Sequence, residues 1–295
     1  MDQAKKTKTK QPKAPAPSKK KAGFDHLFGV DILEKFVTFS KDTLSPKVLD
    51  FSIKWLLKIG HYALIAAAAL GFLFTFIYAV RVNSFFAFLY GIAWIVLVFV
   101  IQYTAHRFST AGEKLINNNP SSMSSKAFLD CFGFLAVIGG LIVLVVGILQ
   151  TIRGAGFNNL FMGIGFFVLL EFLALVAFHP QTVTTNIIKE TTAGQEAIGI
   201  IVFFLKGLMK LVPIVFGVGI AVGFVLLFID FIGIFGNEFR VASSWLSGQN
   251  SARTILYVGL IPFLSYLFFV LSYLAVDVIR SILATPIKIE ELKKK

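Results

Sequence analysis

The stretch Phe128–Leu149, FLDCFGFLAVIGGLIVLVVGIL, decides the fold class. After Asp130 it carries no charged residue for nineteen positions. About 20 such residues are what a helix needs to cross roughly 30 Å of hydrocarbon. Hydrocarbon offers peptide N–H and C=O groups no partner, so a crossing run must satisfy them internally as helix. Five further runs of the same kind lie outward from it: Ile59–Val80, Phe85–Tyr103, Phe157–Phe178, Leu211–Gly236 and Ile255–Val276. The expected fold is an all-α integral membrane protein with six transmembrane helices.

The composition points the same way. Of 295 residues 56% are hydrophobic and 15% charged, and the mean hydropathy is +0.79, more apolar than a water-soluble core of this size requires. Phe supplies 33 residues against 3 Trp, which suits side chains facing lipid tails rather than a polar cleft. A soluble globular protein is excluded. Cys131 is the one cysteine, so no intrachain disulfide forms.

Six crossings put both chain ends on one side, and the basic residues say which. Of 28 Lys and Arg, 24 fall on the face that carries the termini; Arg81, Arg153, Arg240 and Arg253 make up the other face. Without the long amino-terminal tail the ratio is still 11 to 4. Short-loop Lys and Arg mark the inside, so both termini are expected in the cytoplasm or its topological equivalent, in an inner, plasma or organellar membrane.

Four regions follow along the chain. Residues 1–22 hold eight Lys, three Pro and one acid, Asp2, with nothing apolar to offset the entropy of ordering; a disordered cytoplasmic tail is expected. Such a tail is drawn to anionic lipid headgroups, and nucleic acid is the less favoured partner. Residues 23–58 read as amphipathic interfacial helices: one over Phe28–Lys41, and a second beginning at Ser45 as cap and Pro46 as first helical residue. The six-span bundle occupies 59–283, and 284–295 form a basic cytoplasmic tail. A capped polar-to-apolar transition precedes each odd-numbered span, and His106 and His179 close the second and fourth, a pattern compatible with three tandem hairpins. The segment from Glu196 to Gly236 is too long for one crossing, and must break near Pro213 or stand out of the membrane; Thr192 and Gln195 form a capping box at its start.

Intramembrane ionisable residues are costly and therefore functional candidates. Glu171 lies fourteen residues into the fourth span, and Asp230 lies near the outer end of the fifth. Each either carries a proton or cation, or donates a hydrogen bond across a helix interface. A polar layer at the cytoplasmic boundary comprises His61, His106, Asp130, Cys131 and His179. Its members come from different helices, without metal-ligand spacing, and neither metal nor other cofactor is expected. Gly217, Gly219, Ala221 and Gly223 form a small-residue face in the fifth span, suited to close packing within the chain or between copies.

No nucleophile elbow, phosphate loop or HExxH motif occurs. The sequence therefore reads as a non-enzymatic structural or accessory subunit of a membrane assembly, as a homo-oligomer or within a larger complex. The alternative is an ion channel or a proton- or cation-coupled transporter using Glu171.

Overall fold

The computed structural model describes residues 35, 38, 39, 41, 45–155, 157–188 and 191–293, with side chains up to Ile282 except at 155, 157 and 158. Six of its helices are long and apolar enough to cross a membrane. The amino-terminal tail and most of the expected Phe28–Lys41 helix lie outside the described residues; 35, 38, 39 and 41 are helical.

Helix α1 is Pro46–Val82 and α2 is Phe85–Asn118. Ser45 caps α1 through its side chain, Pro46 takes the first turn where its missing N–H costs nothing, and Asn83 ends the helix in the left-handed region at φ 52°. The boundary expected at residue 58 has no counterpart. Residues 46–58 belong to the same continuous helix as the first span, since no breaker falls between them.

A short strand, β1 (Ser121–Met123), leads into α3, Lys126–Gln150. A wide turn over Thr151–Ala155, with Gly154 at φ 87°, reverses the chain into α4, Phe157–Phe178. A 3₁₀ turn at Pro180–Val183 and a left-handed Thr184 aim the chain into β2, Thr185–Ile187. Helix α5, Ala193–Gly233, starts at the expected Thr192–Gln195 capping box. Its forty-one residues run unbroken through Pro213 over about 60 Å, about twice the length that one crossing requires. Helix α6, Glu238–Lys293, continues as helix through the segment expected to be a tail.

Helices α1, α2, α6 and α5 pack in that cyclic order as a four-membered ring. Its middle is filled by Leu64, Ala67, Val98, Ile101, Phe216, Ile220, Leu227 and Ile255. Helices this apolar on every side associate through close packing of their backbones. That explains the small-residue face of α5. A Cβ at Gly217 would collide with the Leu56 carbonyl oxygen of α1. At Gly219 it would meet Val258 at 2.7 Å, and at Gly223 Ile255 at 2.7 Å, both on α6. The face is thus occupied within the chain.

The α3–α4 pair stands apart. It packs chiefly on itself, with Gly147 and Gly163 letting the two backbones touch, and meets α5 near one end, where Val176 and Leu173 approach Gly207. At that end, called here the tail end, the α2–α3 and α4–α5 connections pair as a two-stranded parallel sheet in the register Ser121↔Thr185, Ser122↔Asn186, Met123↔Ile187. Beneath it Leu49, Met123, Leu129, Leu175, Val202, Phe203 and Met209 form a buried core that joins α3–α4 to the ring. Opposite, at the far end, Tyr78 stacks on Trp245 at 4.0 Å beside Phe74, and Arg81 donates to the Gly236 carbonyl.

Candidate functional site

Two places concentrate polar groups with chemical consequence. The first is the tail-end clasp around Lys206. This residue lies on α5 in the segment before Pro213, and its side chain is fully buried at 0% exposure. Its Nζ donates to Ser121 Oγ at 2.9 Å and approaches Thr184 Oγ1 at 3.3 Å and the Thr184 carbonyl at 3.5 Å. Ser121 Oγ also contacts Thr185 Oγ1 at 2.9 Å across the sheet. The ammonium group therefore ties the two connections to α5 through neutral oxygens alone, and no carboxylate among the described residues forms an ion pair with it. Burying a cation on neutral acceptors is unfavourable relative to a paired one, which marks Lys206 as more than packing.

A second knot backs the sheet. Glu196, in the first turn of α5, accepts from Ser124 N at 2.7 Å and Ser125 N at 2.8 Å, and from the Ser124 and Thr191 hydroxyls at 2.9 and 2.7 Å. Those two hydroxyls also lie 2.8 Å apart, so two protons serve three contacts. Three of these four donors come from a connection some seventy residues earlier in the chain. Between the sheet, the start of α5 and α6 lies a cavity of about 760 Å³, whose wall includes Ser121, Ser122, Asn186, Gln195, Gly199 and Arg280.

The second place is the α3–α4 pair. Glu171 is half-buried between these helices, and its Oε1 lies over Gly140, where a Cβ would come within 3.4 Å of it. No hydrogen bond or ion pair reaches it among the described residues. Asp230 differs, since Ser251 Oγ of α6, itself 5% exposed, donates to it at 2.6 Å. That interaction bridges α5 and α6.

The residues of the expected polar layer do not converge. His61 and His106 meet across α1 and α2 with ring centres 5.7 Å apart, and His61 also lies against Phe216. His61 Nε2 is buried without a hydrogen-bond partner among the described residues. Asp130 pairs instead with Lys41 at 2.6 Å, and Lys41 sits over the Phe178 ring. Cys131 is exposed, and His179 contacts the Leu175 carbonyl through Nδ1 at 3.3 Å. Among the described residues no three His, Cys, Asp or Glu side chains gather in a way that could hold a metal ion.

The sequence reading passed over Lys206 and Glu196 as site residues. Lys206 was visible only as one of two lysines four residues apart on a helix face with Lys210. Their fates differ: Lys210 reaches Asp50 of α1 at 3.3 Å, while Lys206 turns inward under the sheet. Strands of three residues are too short for a periodic signal, and the burial of Lys206 depends on them.

Comparison with family models, curated proteins and solved structures finds no match for this chain.

Proposed function

We propose that this chain is a non-enzymatic multi-pass membrane protein that acts as a structural or accessory subunit of a membrane assembly, completed by a second copy or by another membrane helix. The observation that carries this reading is Glu171. A carboxyl group in hydrocarbon costs a few kcal/mol unless something answers it. Here it sits in the one helix pair that stands outside the ring, without a hydrogen-bond partner among the described residues. A donor from a neighbouring subunit would satisfy it, and α3–α4 leaves Leu135, Ile142 and Val145 exposed for such a neighbour. The small-residue face of α5, filled from within, is not that interface.

The same unpaired carboxyl is what a proton- or cation-coupled carrier would use, and this is the second reading. The middle of the ring is filled by apolar side chains such as Phe216, Ile220 and Leu227, which favours the first reading. In this proposal both chain ends face the cytoplasm, and the Lys-rich tail rests on anionic headgroups.

One pair of measurements separates the readings. Native mass spectrometry of the protein released from lipid nanodiscs should give an assembly larger than the 32.5 kDa chain, and Glu171→Leu should shift it to the single chain while the protein stays helical. An intact assembly in Glu171→Leu, or a monomeric wild type, would remove the support for this proposal. Proteoliposomes carrying wild type should show no ion flux. A flux abolished by Glu171→Gln would establish the carrier instead.

A further inference from the structure

We infer that the tail-end cavity is a binding site for a phosphate-type oxyanion, carried by a molecule larger than inorganic phosphate itself. Three observations converge. The cavity is roomy, about 760 Å³, open to the outside, and walled by groups that donate hydrogen bonds: Ser121, Ser122, Asn186 and Gln195. The Arg280 guanidinium stands on its wall, a planar donor suited to two phosphate oxygens at once. Behind Ser121, in direct hydrogen bond to its hydroxyl, lies the fully buried Lys206 ammonium.

Arg280 on the wall and Lys206 behind Ser121 both bring positive charge to this cavity, and an oxyanion seated against Ser121 and Arg280 is attracted by both. The start of α5 adds to this. The Thr192 side chain caps Gln195 N, leaving the amides of Ala193 and Gly194 without an acceptor among the described residues, and Gly194 lines the cavity.

The nearby acids do not cancel the site. Glu196 is saturated by four donors on the Ser124–Ser125 side and does not line the cavity. Asp277 touches Arg280 through one nitrogen at 3.5 Å, a partly exposed pair worth little and readily displaced by a bidentate anion. Ser121, backed by Lys206, thus forms the floor, Arg280 the clamp and the start of α5 the rim. The volume exceeds that of phosphate several times over, so the anion should be part of a lipid headgroup or of a soluble phosphorylated molecule.

The test uses the full chain in neutral detergent. Its thermal midpoint is followed against inorganic phosphate, with chloride at matched ionic strength as the control, and separately after adding phosphatidic acid or glycerol phosphate. Phosphate should raise the midpoint where chloride does not. A larger shift with phosphatidic acid assigns the site to lipid, and a larger one with glycerol phosphate to a soluble ligand. Arg280→Gln should weaken binding at least about tenfold, the loss of one charge-assisted contact. Asp277→Asn, which frees the guanidinium, should strengthen it. Lys206→Met should weaken it also, but Arg280→Gln decides the matter if that variant does not fold. The lysine tail attracts phosphatidic acid independently, so only the part of the shift that Arg280→Gln removes counts. Equal shifts in wild type and Arg280→Gln, or no shift with any phosphate, would overturn the assignment.

Discussion

Gly217→Leu should abolish the folded ring. At this position the backbones of α1 and α5 are in contact, and the nearest atom to an added Cβ is the Leu56 carbonyl oxygen, not the flexible end of a side chain. Overpacking a core costs about 1–3 kcal/mol when neighbours can repack. Here no rotamer change relieves the clash, because the obstacle is main chain; α1 must move off α5, and Gly60, which packs against Phe216 and Gly217, moves with it. The expected cost lies above that range. Gly219→Leu makes a useful comparison, since it meets Val258 Cγ1 at 2.7 Å, a side chain that can rotate. Thermal unfolding of both variants in detergent, read by helical circular dichroism and by elution as a single species, should show Gly217→Leu the worse by a wide margin. Equal stability of the two would mean that α1 and α5 do not cross this closely.

The second large effect is expected at Glu196. Replacing it by Ala leaves the Ser124 and Ser125 amides and two hydroxyls without their acceptor. Each hydrogen bond to a charged group contributes about 1.5–3 kcal/mol, and losses at a shared carboxylate do not add. Because the site is partly exposed, water takes up some donors, and a net loss of about 2–3 kcal/mol is expected. Glu196→Gln should be little better. Its NH₂ group must face a donor where Oε1 or Oε2 stood, replacing an attraction by a repulsion. The change should be local: hydrogen exchange should accelerate at β1 and β2 while the ring amides of α1 and α2 stay protected. Uniform destabilisation of all six helices would show that the clasp is not a separable unit.

These expectations show which parts of the molecule the sequence carries openly. Long charge-free runs such as Cys131–Leu149 announce helices long and apolar enough to cross a membrane by composition alone, and caps at Ser45 and Thr192 are local chemistry, readable from a few neighbouring residues. Pro213 misleads as a break point, because in a helix this tightly packed its neighbours hold the axis through the missing hydrogen bond. Pairings between distant residues carry no such signal. The Ser121–Thr185 register joins positions 64 apart, and Lys206 acquires its meaning only when that sheet closes over it. His61 and His106 do meet, yet Asp130 and His179 each find other partners, so a layer of polar residues at one depth did not amount to a site. Glu171 stood out in the sequence by its charge; its place outside the ring could be seen only once the helices were assembled.

The central claim is that the six apolar helices cross a bilayer with the tail-end clasp on the same side as both chain ends. Labelling of single cysteines in Cys131→Ser protein, in sealed inside-out and right-side-out vesicles, tests it most directly. A cysteine at Ser122, beside the cavity, should react with an impermeant maleimide only in inside-out vesicles, together with one in the amino-terminal tail. A cysteine at Gly154, in the turn between α3 and α4, should react only in right-side-out vesicles. Labelling of Ser122 and Gly154 positions from the same side would contradict the account.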